Sequence, residues 1–264
     1  MDRNLKLTLA YDGSEFYGWQ VQPGLPTVQG TLADALERVT GESVLPQGSG
    51  RTDAGVHALA QVASVHLKSP IPERNLLIAL NDVLPPSVRI NAVEVVPDSF
   101  HARHSAKAKT YRYRIYRGDI CPPFLARYVY HDPYPMDEEA LIRASEQVVG
   151  KHDFTSFAAA DPDRSARLAA ALEQEVGHCD CAHVNNVRTI HFSQWARTRE
   201  ELIYTVRGDG FLHHMVRNLV GTFLLVGKGS LRISDVPTIL EARNRSAAGP
   251  TAAACGLYLV SVEY

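Results

Sequence analysis

The sequence predicts an α+β fold, in which alternating hydrophobicity marks the strands and apolar stripes of helical period mark the helices. Leu5, Leu7 and Leu9 alternate with polar or small residues, which is the pattern of a half-buried strand. Two helical stripes follow within the first half, and strands and helices recur in similar order after them. The chain of 264 residues is 45% hydrophobic and 21% charged, a composition typical of a globular protein with a substantial core.

The first half of the chain is predicted to hold two helices on one face of a sheet. Thr27 is the expected N-cap of the first helix, which ends near Gly41, and the second begins at Pro72 and ends before Pro85. Their apolar stripes are Val28, Leu32, Leu36 and Val39, and Leu76, Leu77, Leu80 and Leu84. The further strands are predicted at Ala63–Leu67 and Val88–Val96. The aromatic, glycine-rich segment through Trp19 is expected to return across the same sheet.

A second round of elements is predicted after residue 140. Leu141, Ser145 and Val148 indicate a helix that ends at Gly150, and Leu202, Tyr204 and Val206 alternate as a strand. A further helix is predicted from Phe211 to about Val226. Arg217 is placed among its hydrophobic residues, with His213 and His214 one turn earlier on neighbouring faces.

The stretch from Gly48 to Ala58 combines three glycines with an arginine, an aspartate and a histidine. Such a composition predicts a bent loop that holds Asp53 in a defined place, and an ordinary surface turn is the alternative. The spacing of Gly50 and Gly55 resembles a phosphate-binding loop, but Val56-His57 follows where Lys-Ser/Thr is required. The glycines also fail to complete a dinucleotide-binding G-x-G-x-x-G motif. We therefore expect no nucleotide cofactor at this loop.

Residues 103–117 carry six basic residues and no acidic one, with Tyr111, Tyr113 and Tyr116 between them. In a strand, Lys107, Lys109, Tyr111 and Tyr113 project from one face, whereas Thr110, Arg112 and Arg114 project from the other. Basic side chains bind phosphates and aromatic rings stack on unpaired bases, so this stretch is a candidate RNA contact. An exposed strand whose tyrosines pack in the core is the alternative.

Net charge, apolar runs and cysteine content restrict the classes of protein to which the chain can belong. Because the net charge is −2, any RNA-binding surface must be a local cluster of basic residues. No apolar run reaches the roughly 20 residues of a membrane span, and the N-terminus lacks the apolar region of a signal peptide, so we expect a cytoplasmic protein. Four scattered cysteines predict no disulfide framework. The cluster from His178 to His183 lacks a standard zinc spacing, so a loop without metal is expected there, with a structural metal site as the alternative.

Five motifs in chain order resemble those of the tRNA pseudouridine synthase A family. The most specific is Gly50-Arg51-Thr52-Asp53-Ala54-Gly55-Val56-His57-Ala58. The others are Tyr11-Asp12-Gly13-Ser14-Glu15-Phe16-Tyr17-Gly18-Trp19-Gln20, the stretch from Phe100 to Arg114, His152-Asp153-Phe154-Thr155-Ser156-Phe157, and Phe211-Leu212-His213-His214-Met215-Val216-Arg217-Asn218. The resemblance extends over nearly the whole chain. It does not include residues 158–184, which form a segment longer than the family usually has.

The resemblance implies a fold and an activity. The fold has two similar α+β halves, each a mainly antiparallel sheet with helices on one face, which flank a central catalytic cleft. The halves correspond here to residues 1–105 and 106–264. The implied enzyme is an isomerase that converts uridine to pseudouridine at positions 38–40 in the anticodon stem–loop of tRNA. It uses no cofactor and no metal, and it acts as a homodimer whose tRNA spans both subunits.

The resemblance also implies the roles of individual residues. Asp53 is the catalytic carboxylate, either a nucleophile at the ribose C1′ or a base at C2′, and Arg217 is its ion-pair partner. Tyr111 stacks on the target base and is a candidate acceptor of the C5 proton. Arg51 fills the space that the flipped base leaves. The other predicted RNA contacts are Lys107, Lys109 and Arg112. His57 has no catalytic role in this interpretation and is expected to stabilise the loop by hydrogen bonding.

Two alternatives from other functional classes remain at this stage. A non-catalytic RNA-binding protein would use the basic stretch equally well, but it has no need for Asp53 together with Arg217. A hydrolytic nucleosidase would need a carboxylate pair or a metal ion to activate water. Conversion of uridine without release of free uracil separates the three functions.

Overall fold

The computed structural model describes residues 2–160 and 185–264 of the chain. Most of the predicted extra segment at 158–184, including the cluster around Cys179 and Cys181, lies outside the described residues. The chain divides into two compact units. Unit 1 comprises Met1–Tyr134, Phe192–Asp209 and Ala253–Tyr264, and unit 2 comprises Pro135–His191 and Gly210–Ala252.

The described residues form ten strands and five α-helices. The strands are β1 Arg3–Tyr11, β2 Gln47–Gly48, β3 His57–Leu67, β4 Val88–Val96, β5 Ala108–Tyr116, β6 Tyr130–His131, β7 Gly150–Asp153, β8 Val187–Thr198, β9 Glu201–Gly208 and β10 Leu257–Glu263. The helices are α1 Val28–Thr40, α2 Glu73–Val83, α3 Glu138–Glu146, α4 Met215–Gly227 and α5 Asp235–Ala242.

Unit 1 is built on a sheet with the strand order β4-β1-β3-β10-β5-β9-β8. Strand β1 pairs antiparallel with both β3 and β4, and β5 pairs antiparallel with β9 and β10. The last strand, β10, lies parallel to β3, where Leu259 is opposite Ala58. On its other side, Leu259 is opposite Tyr111 of β5. Only β10 therefore lies between the strand that follows the Asp53 loop and the strand that carries Tyr111.

Helices α1 and α2 belong to unit 1 and have the predicted caps. The Thr27 hydroxyl accepts a hydrogen bond from the Gly30 amide at 3.3 Å, and α1 ends at Gly41, which has a φ of 74°. Helix α2 begins after Pro72. Leu32, Leu36, Leu76 and Leu80 are fully buried. The predictions of both helices from their leucine stripes and end signals are therefore confirmed.

Unit 2 contains β7 paired antiparallel with the first residues of β8, and helices α3, α4 and α5. Helix α4 is buried on nearly every side, whereas α3 and α5 bury one face each. Helix α5 is linked to the turn at Thr155–Phe157, because the Ser156 hydroxyl donates to the Ile239 carbonyl at 2.5 Å.

One predicted chain path and two predicted helix boundaries were wrong. Residues 12–19 do not return across the sheet, because Asp12 caps a single 3₁₀ turn at Gly13–Glu15 and the chain then leaves the strand direction. Helix α3 ends at Glu146 and not at Gly150. Helix α4 begins at Met215, because His214 has a φ of 59° and interrupts the helical pattern. His213 and His214 therefore do not share a helix with Arg217.

The α+β class and the mainly antiparallel sheet are confirmed, whereas the division into two similar halves at residue 105 stays a prediction. Within the described part of the chain, no helix is both long and apolar enough to cross a bilayer.

Candidate active site

Asp53 lies on the loop that joins β2 to β3 in unit 1. Its side chain is half-buried, Arg51 is exposed and Thr52 between them is buried. The Val56 amide donates to the Asp53 carbonyl at 3.1 Å, which closes a turn immediately after the aspartate. The loop thus presents one carboxylate and one guanidinium near the surface and keeps its backbone in a defined shape.

The upstream flank of this loop, Ser49 to Thr52, is held by side chains of the sheet. Gln61 accepts from the Ser49 hydroxyl at 2.6 Å and donates to the Gly50 carbonyl at 3.0 Å. The Tyr11 and Thr52 hydroxyls are hydrogen-bonded at 2.8 Å. The Gln61–Ser49 and Tyr11–Thr52 bonds are buried and the Gln61–Gly50 bond is partly buried, and a lost partner is costly in such surroundings. The strands β1 and β3 therefore fix the backbone that leads to Asp53.

Lys109 of β5 is a further contact of the upstream flank. Its Nζ donates to the Ser49 carbonyl at 2.6 Å. Burial, with a smaller contribution from the Arg103 charge, lowers the pKa of Lys109 to about 8. The predicted RNA contact of Lys109 stays a prediction, and the structure adds a bond from this ammonium to the Asp53 loop.

The glycine-rich segment after β1 packs against the same loop. The Trp19 amide donates to the Thr52 carbonyl at 3.0 Å, and the Gly55 amide donates to the Phe16 carbonyl at 3.3 Å. Gly18 has a φ of 89°, and a Cβ there would lie 2.6 Å from the Thr52 carbonyl oxygen. Only glycine combines this dihedral with so close an approach. The Tyr11–Gln20 motif therefore acts as the support of the Asp53 loop.

The downstream flank of the loop, Val56 and His57, has a different anchor. The Gly13 amide donates to His57 Nδ1 at 3.0 Å, and His57 Nε2 lies 3.1 Å from the Arg127 carbonyl oxygen. The imidazole is buried and stacks on Tyr258 with ring centroids 4.8 Å apart. The prediction that His57 stabilises the loop by hydrogen bonding is confirmed.

Tyr111 is buried in the middle of β5. Burial, the neighbouring Tyr11 and the Asp53 charge together raise the pKa of Tyr111. Asp53 therefore lies within electrostatic reach of the Tyr111 phenol, although 58 residues separate them in sequence. The raised pKa keeps the phenol protonated at neutral pH.

The other predicted RNA contacts differ in their positions. Lys107 is exposed just before β5, and Arg112 is half-buried on the opposite side of β5 from Tyr111 because of the strand alternation. Arg114 shares that opposite side and forms a bidentate pair with Glu201, with distances of 2.8 and 2.6 Å. Lys109 and Tyr111 are thus the predicted residues of β5 that lie near the Asp53 loop.

Arg217, in unit 2, is the third residue of α4. Its Nε donates to the Ala252 carbonyl at 2.7 Å, and its own carbonyl accepts from the Ala252 amide at 3.1 Å. The next residue, Asn218, is buried and hydrogen-bonded to the Phe157 carbonyl and to the Arg245 and Thr251 side chains. Within unit 2, the bond from Nε to Ala252 restricts the orientation of the Arg217 guanidinium. Its predicted ion pair with Asp53 stays a prediction.

Several residues that support the site were not identified from the sequence. The hydrogen-bonding roles of Thr52, Gln61 and Asn218 leave no periodic signal, because each depends on a partner far away in the chain. Tyr11, Gly18, Thr52 and Asn218 lie in three of the five motifs, and that membership was the available signal, whereas Gln61 lies in none of them.

A model of the tRNA pseudouridine synthase family matches residues 8–105 and 144–264 of this chain. The matched ranges include the Asp53 loop, its support and Arg217. The chain belongs to the tRNA pseudouridine synthase family. It is therefore an enzyme of the isomerase class, and its substrate class is tRNA.

Relatives align with the chain from end to end. A tRNA pseudouridine synthase A of Solibacter usitatus is 48% identical over 262 residues, which cover 99% of this chain and 100% of that protein. A tRNA pseudouridine synthase A of Moorella thermoacetica is 45% identical, with 98% and 99% covered, and one of Bacillus licheniformis is 44% identical, with 98% of each covered. These alignments include the stretch 106–143, which lies between the two ranges that the tRNA pseudouridine synthase family model matches.

Proposed function

We propose that this protein converts uridine to pseudouridine at positions 38–40 in the anticodon stem–loop of tRNA. The observation that carries the proposal is the placement of Asp53, half-buried on a loop that hydrogen bonds fix on both flanks, within reach of the Tyr111 phenol. Family membership supports the reaction. The positions within tRNA rest on the resemblance of the five motifs.

The reaction breaks the C1′–N1 bond, rotates the uracil and forms a C1′–C5 bond, after which C5 loses its proton and N1 carries one. We assign the initiating step to the Asp53 carboxylate, which attacks C1′ or removes a proton from C2′. Both routes need an ionised carboxylate held at the ribose. The hydrogen bonds of the neighbouring backbone hold the carboxylate in place before tRNA binds. Such fixed geometry can contribute much of a rate enhancement.

Arg217 is proposed as the cation that keeps Asp53 ionised when tRNA excludes water. A guanidinium offers several N–H groups in a fixed fork. Because Nε is bound to the Ala252 carbonyl, the terminal nitrogens are the ones we assign to the carboxylate. An opposite charge within about 4–6 Å of a carboxylate favours its ionised form.

Tyr111 is proposed to support the target uracil with its ring. The raised pKa of its phenol opposes a phenolate at neutral pH, so stacking is the stronger of its two predicted roles and acceptance of the C5 proton the weaker.

The remaining assignments concern tRNA and the assembly. Arg51 is exposed beside Asp53 and is proposed to occupy the space left by the flipped base, which offsets part of the few kcal/mol that unstacking costs. Lys107, Lys109 and Arg112 are proposed to bind backbone phosphates. We further propose a homodimer that acts in the cytoplasm.

The test is pseudouridine formation on a panel of tRNA transcripts with uridine at single positions of the anticodon stem–loop. The wild type is expected to make carbodiimide-reactive pseudouridine at positions 38–40 without releasing uracil. Asp53→Asn should lower kcat more than about a thousandfold and leave tRNA binding largely intact. Asp34→Asn, an exposed aspartate on α1, is the matched control and should behave as wild type.

The alternative functions give other results. Release of free uracil would identify a nucleosidase, and tRNA binding without any modified uridine would identify a non-catalytic RNA-binding protein. Near-normal turnover by Asp53→Asn would overturn the catalytic assignment.

A further inference from the structure

We infer that His57 is a positioning residue of this active site, and that its neutral form, with the proton on Nε2, holds the Asp53 loop in the working geometry. The inference rests on the proposed function, because it concerns how the Asp53 carboxylate is kept in place. His57 itself is buried and is assigned no contact with tRNA.

The hydrogen bonds of the ring define its tautomer. An amide N–H can only donate, so the Gly13 amide at 3.0 Å requires an unprotonated Nδ1. The Arg127 carbonyl can only accept, so Nε2 at 3.1 Å carries the proton. One neutral imidazole thus ties the downstream flank of the loop to the end of β1 and to the segment before β6.

Protonation would change the partner of Nδ1. The Asp12 Oδ1 lies 3.2 Å from this nitrogen, close enough to accept from an imidazolium. The Gly13 amide would then face a second donor and lose its acceptor. Protonation of His57 therefore breaks the bond that ties Gly13 to the loop. The bond that replaces it goes to the Asp12 side chain, which Ser14 and Tyr128 already hold.

The bond to Gly13 matters for Asp53 because Gly13 packs directly on the loop. A Cβ at Gly13 would lie 2.0 Å from the Val56 carbonyl oxygen, so the backbones of the two segments are in contact. The Val56 amide in turn closes the turn to the Asp53 carbonyl. Movement of Gly13 away from His57 is therefore passed to Asp53 through two consecutive backbone contacts.

The charged and titratable groups around the ring come from four parts of unit 1. They are Asp12 after β1, Tyr128 before β6, Arg114 on β5 and Tyr258 on β10. Burial lowers the pKa of His57, and the Arg114 charge adds to this, whereas Asp12 and the carbonyls of Arg127 and Cys255 act in the opposite direction. The neutral form accordingly prevails at neutral pH, and protonation requires a pH below the ordinary value of 6.5.

Two substitutions separate the two bonds of the ring. In His57→Asn, the side-chain oxygen takes the place of Nδ1 and still accepts from Gly13. In His57→Gln, the terminal amide takes the place of Nε2 and keeps the Arg127 bond. Neither side chain titrates.

The measurement is the pH profile of kcat at saturating tRNA transcript, followed by release of tritium from C5 of labelled uridine. The wild-type kcat should fall as the pH drops below about 6.5, through the pKa of His57. Both variants should lose this acidic limb. At pH 7.5, His57→Gln should have a kcat about 10- to 100-fold below wild type with little change in KM, and His57→Asn should retain several times more activity.

Asp12→Asn provides an independent test in a protein that keeps the histidine. Removal of the carboxylate that raises the pKa of His57 should shift the acidic limb of kcat to lower pH. His66→Asn, an exposed histidine on the same strand, is the control and should keep the wild-type profile.

The outcomes distinguish this inference from the proposed function. The positioning role would be overturned if the wild type is active and both His57 variants keep the acidic limb of kcat. It would also be overturned if the Asn and Gln variants at position 57 have equal kcat values. A purely structural role would lower the midpoint of thermal unfolding and leave the kcat of the folded fraction unchanged, which also contradicts the inference. A wild type that modifies no tRNA would instead overturn the proposed function.

Discussion

The two flanks of the Asp53 loop are anchored by chemically different groups. The upstream flank carries a lysine ammonium on the Ser49 carbonyl, and the downstream flank depends on a neutral histidine that accepts from Gly13. The ammonium loses its proton near pH 8, whereas the imidazole gains one below its ordinary pKa of 6.5. One anchor therefore weakens as the pH rises, because the Lys109 bond loses its charge assistance, and the other weakens as the pH falls.

The comparison indicates that two groups which only position a carboxylate can set both limits of a pH profile. Between the two limits, both anchors are in their bonding forms. A bell-shaped profile of kcat would normally be assigned to a catalytic acid and a catalytic base. Here the structure offers two positioning groups for the same behaviour, and variants of each flank can be compared.

The largest effect is expected from Gly13→Ala, which breaks the downstream flank. The new Cβ would meet the Val56 carbonyl oxygen at 2.0 Å, so the backbone must move. Stability should fall by about 1–3 kcal/mol in chemical denaturation, as for other overpacked sites. The kcat should fall by about a hundredfold or more, because displacement of a catalytic group by about 1 Å costs that much.

Gly229→Ala is the control for Gly13→Ala. Gly229 has a φ of 73° with no atom near the position of a Cβ, so the substitution strains the backbone far along the chain from the loop. It should lower stability and leave kcat unchanged. Similar kcat values for the two variants would show that Gly13 does not position the loop.

An intermediate effect is expected from Lys109→Met, which breaks the upstream flank and keeps the length of the side chain. Loss of the charge-assisted bond to Ser49 should lower kcat about tenfold at pH 7. The decline of wild-type kcat above pH 8 should disappear in the variant, while the acidic limb remains. A persistent alkaline limb would contradict the role of the Lys109 proton.

Titration of Lys109 does not itself destabilise the fold in this alkaline range. The pKa of Lys109 is lower in the folded protein, about 8 against an ordinary 10.5, so between these values the unfolded chain binds the proton and the folded one does not. The contribution of this group to the free energy of unfolding therefore rises with pH in that window. Lys107→Met, an exposed lysine beside it, should raise KM for tRNA and leave the pH profile of kcat unchanged.

The smallest effect is expected from Tyr11→Phe, which removes an uncharged contact of the upstream flank. Burial raises the pKa of Tyr11 to about 12, although its bonds to Thr52 and Gln61 act against this, so the hydroxyl does not titrate in the working range. Thermal or chemical unfolding should show a loss of about 1 kcal/mol. The kcat should change little, and equally at every pH, whereas a new pH dependence would contradict this description of the flank.

The parts of the fold with local causes could be predicted from the sequence. Thr27, Gly41 and Pro72 act through neighbouring residues, so the ends of α1 and α2 were predicted correctly. Helix α4 was predicted to begin four residues too early, because the apolar stripe continues through Leu212 and does not reveal the left-handed backbone at His214.

The candidate site divides in the same way. Asp53 and Tyr111 were identified from motifs, and the structure places both in unit 1 within electrostatic reach of each other. The bond from Lys109 to Ser49 and the bonds of His57 join residues that are 44 to 70 positions apart. Such pairs depend on the strand order of the sheet, and no period or cap in the sequence contains that order.

The position of β10 between β3 and β5 has a consequence for biosynthesis. Residues 257–263 follow the other strands of unit 1 in the chain, and until they dock, the strand that follows Asp53 and the strand that carries Tyr111 have no common neighbour. A nascent or prematurely terminated chain therefore holds both residues without the sheet that brings them together. Folding of this part of unit 1 is therefore expected to be complete only when β10 has docked between β3 and β5.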